Sequence, residues 1–170
     1  HHVIGGQGGR AAVVYFNERG ERIVLTYSQL LHEVKRVAGA LRGLGVEKGD
    51  RVTLSMPTCP EAVTLMLACA RIGAIHSVVF AGFGAGALAD RIGASGSKIV
   101  FTADVTYRKG KEFPLKPIVD EAISKIGDNV ERVVVLQRNA DSPLREGRDV
   151  DWDTFLAGAE GQSDDWVAME

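Results

Sequence analysis

The run Met56–Phe83, MPTCPEAVTLMLACARIGAIHSVVFAGF, spells a loop, a helix, a tight turn and a strand in succession. Pro60 suits the first helical position, where its missing N–H leaves no bond unmade. Glu61 in the first turn and Arg71 in the last carry the signs that the helix dipole favours. Between them Ala62, Val63, Leu65, Met66, Leu67, Ala68, Cys69 and Ala70 are apolar nearly all round, which predicts a helix buried on every side. Gly73 can take the left-handed conformation that ends such a helix. Ala74–Phe80 then reads as a continuous apolar strand of the kind found in a parallel sheet covered on both faces.

The same grammar extends outward. Ala11–Asn17 and Arg22–Thr26 alternate as two strands joined by a short turn, a hairpin. Thr26 or Ser28 caps a helix running to about Arg42, with Leu30, Leu31, Val34, Val37, Ala38 and Leu41 on one face. Val52–Ser55 is a short buried strand. Beyond Phe80 come a helix over about 85–93, a strand over 98–103, a helix over 115–126 and a strand over 132–136. A polar loop follows, then a short helix over 151–159. Strands alternating with helices predict an α/β fold: a mostly parallel sheet with helices on both faces. Residues 1–10 read as a Gly-rich lead, 11–160 as one partial α/β unit, and 161–170 as a tail leading onward. Gly5, Gly6, Gly8 and Gly9 neither follow a strand nor precede a helix, so they make no phosphate loop.

The bulk properties exclude several classes. With 170 residues, 45% hydrophobic and 25% charged, the chain has globular composition. A formal net charge of −2 gives no case for nucleic acid or an anionic membrane as partner. No segment has the ~18 apolar residues of a membrane span. Cys59 and Cys69 read as reduced thiols near a core, which points to a cytoplasmic setting. No Cys/His spacing fits a metal site, and no nucleophile can be paired with a base. His76 reads as a core or near-surface histidine and His32 as exposed. Ser95–Lys98, SGSK, enters a strand rather than a helix and is a turn. Asp90 with Arg91, and Asp149 with Asp151 and Asp153, read as surface charges. His1 and His2 are left out of any functional reading.

Two places can carry a ligand. Arg108, Lys109, Gly110 and Lys111 follow a predicted strand end, where open α/β sheets place their binding loops. Three cations around a glycine can gather on a phosphate, Arg as a fork and Lys as a point charge. On the residues alone, a solvated basic turn is the competing reading. Ala81 and Gly82, with Phe83, end the Phe80 strand, where small residues let backbone approach a flat ligand. A plain strand-to-helix turn is the alternative there.

LTYSQLLHEVKRVAGALRGLGVEKGDRV, PEAVTLMLACARIGAIHSVVFAGF, ALADRI, TADVTYRKGKEFPLKPIVDEAI, VVVLQR and DWDTFL, taken in order, closely resemble the N-terminal part of AMP-forming acyl-CoA synthetases of the acetyl-CoA and propionyl-CoA type, which are adenylate-forming enzymes. The resemblance covers most of the chain. It implies that the fold is part of the large domain of those enzymes, and that Arg108–Lys111 and the Ala81–Gly82 corner contact coenzyme A, the latter beside its adenine. Lys111 stands where the family commonly has arginine, Ala81 where it often has glycine, and Gly84, Ala85 and Gly86 where it has Ser-Pro-Glu. It further implies a parent enzyme that uses ATP, Mg2+ and coenzyme A to activate acetate or propionate through an acyl-adenylate. The triphosphate loop, catalytic lysine, metal ligand and acyl pocket of that chemistry have no counterpart in these 170 residues. The expectation is a fragment with no catalytic residue and no metal ligand of its own, inactive alone, whose partners are the rest of the parent chain and small-molecule substrates. Two other readings stay open: a free-standing α/β module that binds a phosphorylated ligand such as coenzyme A, and a structural subdomain with no ligand.

Overall fold

The computed structural model describes residues 8–127, 129–139 and 142–168; His1, His2 and most of the Gly-rich lead lie outside them. The chain opens with a two-stranded antiparallel ribbon, β1 (Ala11–Phe16) and β2 (Arg22–Thr26). Helix α1 (Tyr27–Gly43) starts in a capping box: the Thr26 hydroxyl accepts from the Gln29 N–H and the Gln29 side chain accepts from the Thr26 N–H. Strand β3 (Arg51–Ser55), helix α2 (Pro60–Ile72), strand β4 (Ile75–Val78), helix α3 (Ala85–Ser95) and strand β5 (Ile99–Ala103) follow. Next come a second ribbon, β6 (Val105–Arg108) and β7 (Lys111–Pro114), helix α4 (Lys116–Ile126), strands β8 (Arg132–Leu136) and β9 (Asp149–Asp151), and helix α5 (Trp152–Ala157).

β3, β4, β5, β8 and β9 form one sheet in the order β4-β3-β5-β8-β9, every neighbouring pair parallel. Because side chains alternate along a strand, the sheet feeds two cores. Val52, Leu54, Ile99, Phe101 and Val134 pack with α1, α2 and α5 on one face. Val100, Val133 and Val135 pack with α3 and α4 on the other. Phe101 meets Phe155 edge-on at 5.3 Å, inside a layer where each fully buried large apolar side chain contributes about 1.5–3 kcal/mol. Helices on both faces of a parallel sheet are what the alternating pattern predicts.

Three expectations are corrected. The strand after α2 is short and lies at the sheet edge, with Ile75, Val78 and Phe80 exposed; a run of apolar residues cannot tell a central strand from an edge whose apolar side faces outward. Helix α2 buries one face, through Leu65, Ala68, Cys69 and Ile72, while Val63, Met66 and Leu67 are half-buried. Asp149 is no surface charge. It lies on β9, a strand the sequence reading missed, and its side chain is inaccessible, bonded to Lys116 at 2.7 Å and Arg148 at 2.7 Å. Burial pushes its carboxyl up, but hydrogen bonds from Arg148 and Lys116 outweigh this and hold it below the usual carboxylate range. Asp151 caps α5 instead, accepting from the Thr154 N–H. The segment after α5 lies along α1 and α2: Arg42 and Arg71 donate to the carbonyls of Ser163, Asp164 and Asp165, and Lys35 pairs with Asp164.

Candidate functional site

The chain runs from β3 out to edge strand β4, then crosses back to β5 on the other side of β3. In open parallel sheets such a reversal leaves a crevice beyond the carboxyl ends of the strands. Both segments singled out in the sequence meet there. The β4 end delivers Phe80, Ala81 and Gly82, and the β5 end delivers the β6–β7 ribbon.

Arg108 and Lys111 close that ribbon as a paired couple, leaving a loop of Lys109 and Gly110. Lys109 has φ 49° and Gly110 φ 74°. Two consecutive positive φ values are those of the tight hairpin turn whose twist matches the flanking strands. Glycine takes this conformation readily, and Lys109 takes it at some cost. A Lys-Gly pair between alternating runs was the overlooked signal for a hairpin here; the basic segment is a structured turn, not a loose loop.

Pairing fixes which side chains share a face. Thr106, Arg108, Lys111 and Phe113 lie on one side, Tyr107 and Glu112 on the other. On the first side the Arg108 guanidinium stands 5.0 Å over the Phe80 ring and 6.0 Å from that of Phe113. Phe80 also meets Phe83 edge-on at 5.9 Å. A Cβ placed on Gly82 would fall 2.6 Å and 2.9 Å from the two terminal nitrogens of Arg108, and 2.3 Å from the Phe80 ring. Gly82 is thus a floor on which only a glycine lets Arg108 and Phe80 sit. Ala81 is half-buried in the same corner.

Charge makes the corner unusual. Among the described residues none of Arg108, Lys109 or Lys111 forms an ion pair. Arg108 and Lys111 face each other directly across the ladder, where like charges repel. The face therefore holds uncompensated positive charge beside exposed aromatic surface, an arrangement suited to an anion attached to a planar ring.

The base of the ribbon is anchored by Asp104, a residue the sequence reading passed over. It is fully buried. Its carboxylate accepts from the backbone N–H groups of Val105 at 2.7 Å, Arg138 at 2.9 Å and Asn139 at 2.8 Å. Its carbonyl accepts from Leu115 and Lys116. One side chain thus ties the ends of β5 and β8 to the start of the ribbon. On the ribbon's far side a cavity of about 240 Å³ lies among Tyr15, Arg19, Cys59, Glu61, Tyr107 and Arg138. Its charged lining holds two cations, Arg19 and Arg138, and two carboxylates, Glu21 and Glu61.

The remaining candidates fall away from the crevice. His76 is exposed on the edge strand and His32 is exposed on α1. Ser95 and Ser97 bond one another and Thr53 at the opposite end of the sheet. Cys59 and Cys69 are buried, and burial pushes each thiol up to about 12, which removes them as nucleophiles. Among the described residues no group of three or more His, Cys, Asp or Glu side chains is placed to hold a metal. No described helix is long and apolar enough to cross a membrane.

Comparison with known proteins agrees with this architecture. Residues 1–168 match the family model described as AMP-binding enzyme. The chain is 55% identical over 147 residues to 3-hydroxypropionyl-coenzyme A synthetase of Sulfurisphaera tokodaii, an alignment covering 85% of this chain and 22% of that protein. It is 51% identical over 157 residues to acetyl-coenzyme A synthetase of Streptomyces avermitilis, covering 92% and 24%. With acetyl-coenzyme A synthetase of Laribacter hongkongensis it shares 45% over 163 residues, covering 95% and 25%. The chain spans about a quarter of the length of these curated relatives.

Proposed function

This chain belongs to the AMP-binding enzyme family, and from that premise we propose that it is part of an acyl-CoA synthetase and carries part of that enzyme's coenzyme-A surface. The parent would activate a short-chain carboxylate with ATP to an acyl-adenylate and pass the acyl group to the thiol of coenzyme A. The names of its relatives, acetyl- and 3-hydroxypropionyl-coenzyme A synthetases, support a small acyl group without choosing between acetate, propionate and their hydroxylated kin.

The observation that carries this reading is the Arg108 guanidinium poised over Phe80 and Gly82, with Lys109 and Lys111 beside it and, among the described residues, no ion pair to any of the three. Coenzyme A presents a flat adenine, a 3′-phosphate and a pyrophosphate. The adenine would lie against the Ala81–Gly82 floor, and the phosphates would be held by Arg108 as a fork and by the two lysines as point charges. Lys111 supplies charge without bidentate geometry. Among the described residues no group of three or more His, Cys, Asp or Glu side chains offers magnesium a site. The triphosphate loop and catalytic lysine that the family uses have no counterpart in these residues, so the chain alone is inactive. Ile75 and Val78, exposed along the β4 edge, are the apolar surface that the rest of the parent would cover.

Titration calorimetry tests the reading. Coenzyme A should bind the chain, binding should weaken with salt, and dephospho-coenzyme A or the Arg108→Ala variant should bind at least several-fold more weakly. Equal binding of both ligands, or indifference to Arg108, would overturn the assignment. Adenylate-forming turnover by the purified chain would overturn its inactivity.

A further inference from the structure

We infer that Tyr107 is a positioning residue: held by Arg19 and Arg138, it sets the pitch of the β6–β7 ribbon and so aims Arg108 at the Phe80–Gly82 corner. The inference rests on the coenzyme-A reading for its purpose, but its geometry stands by itself. Among the described residues the ribbon has only two strands and joins no larger sheet. Backbone bonds at Asp104 hold its base, but a two-stranded hairpin is marginal without support on its faces, so beyond the base its orientation comes from side chains.

On the Arg108 face the support is Phe80. The other face belongs to Tyr107. The Arg19 guanidinium lies 4.3 Å from the Tyr107 ring centre and that of Arg138 lies 5.2 Å from it. Arg19 also donates a hydrogen bond to the Tyr107 hydroxyl. Arg138 Nη1 is buried with no hydrogen-bond acceptor, and its guanidinium faces the ring, whose negative π surface supplies electrostatic compensation. Glu18 stands 3.9 Å from Arg138. Glu112, on the same face as Tyr107, accepts from the Asn139 side chain at 2.8 Å.

Each jaw has its own mount. Arg19 belongs to the β1–β2 turn, where the Asn17 side chain accepts its backbone N–H. Arg138 follows β8, where the Asp104 carboxylate accepts its N–H. Neighbouring residues of a strand point to opposite faces, so a tilt of the ribbon that released Tyr107 would swing Arg108 off Phe80. The clamp on one face is thereby transmitted to the cation on the other.

Nuclear magnetic resonance on the 170-residue chain reads this directly. Arg108 side-chain protons should show an upfield ring-current shift and cross-peaks to the Phe80 ring, assigned by their loss in Arg108→Lys. Tyr107→Phe, which keeps the ring and loses only the hydroxyl, should retain both signals. Tyr107→Leu should abolish them while the amide spectrum of β3 and β5 stays unchanged. In the same samples coenzyme A should bind Tyr107→Leu about tenfold more weakly, the loss of one charge-assisted contact. Should Tyr107→Leu fail to fold, Arg19→Ala removes the exposed jaw alone and should reduce the cross-peaks. Undiminished Arg108–Phe80 cross-peaks in a folded Tyr107→Leu or Arg19→Ala chain would overturn the inference. Lost cross-peaks in a chain whose wild type binds no coenzyme A would uphold the clamp and sink the ligand reading alone.

Discussion

Replacing Asp149 by Asn removes one negative charge from a buried cluster without changing its shape. In the folded chain the Asp149 carboxylate is inaccessible and faces Lys116 and Arg148, each at 2.7 Å, and it also accepts the Arg145 N–H. Lys116 is itself almost fully buried, with 3% of its side chain exposed, so the change leaves a desolvated ammonium short of a partner. Breaking a buried pair from one side costs about 3–5 kcal/mol. Asp120, which still faces both cations, places the expected loss near the lower bound, about 3 kcal/mol. For a chain of this length that lowers the melting temperature by roughly 6–12 °C. The pH dependence gives a second handle. The folded carboxyl of Asp149 sits below its ordinary value, so its stabilisation is fully present above about pH 4 and is lost as pH falls through the folded value. Urea unfolding of wild type and Asp149→Asn should therefore show the widest gap near neutrality and a narrowing gap in acid. A gap under about 1 kcal/mol at pH 7, or one that stays constant from neutrality into acid, would refute the reasoning.

Other outcomes follow from the same geometry. Gly82→Ala should shift the ends of Arg108 and Phe80, with which its Cβ would collide, and lower coenzyme-A affinity by about tenfold; stability by urea titration should change by less than about 1 kcal/mol, because only flexible side-chain ends must move. Cys59 and Cys69, pushed up to about 12 by burial, leave roughly one thiol in ten thousand ionised at pH 8. A chromogenic disulfide reagent should label the native chain slowly and the urea-unfolded chain at once, and prompt native labelling would contradict their burial. Val78→Lys puts a charge on the exposed β4 edge, a device that discourages strand addition. Light scattering should show less self-association than wild type at equal concentration, with stability within about 0.5 kcal/mol; an unchanged mass distribution would show that this edge is not the sticky one.

Much of the architecture was legible in local signals. Thr26, Pro60 and Gly73 mark helix ends by chemistry that acts within a few residues, and the structure uses all three at the helix ends the sequence marks. The alternation of short apolar strands with helical faces determined a parallel α/β sheet covered on both sides. The residue string itself carried the family, and it marked Arg108–Lys111 and Ala81–Gly82 as places worth finding together. Strand order, by contrast, is a long-range property. Ala74–Phe80 looked like a central strand because apolar content does not say which neighbour supplies the covering layer, and only the sheet order put β4 at the edge. Asp149 looked like surface because a charge's burial depends on partners distant in sequence: Lys116 lies 33 positions away and became its neighbour only when β9 joined β8 beside α4. Asp104 and Tyr107 carried no pattern at all, since their roles arise from backbone N–H groups and guanidinium groups gathered from three separate segments. The sequence determined the elements and the chemistry on offer. Tertiary structure decided which charges are desolvated and which side chains meet, because those depend on packing across the sheet and not on local propensity.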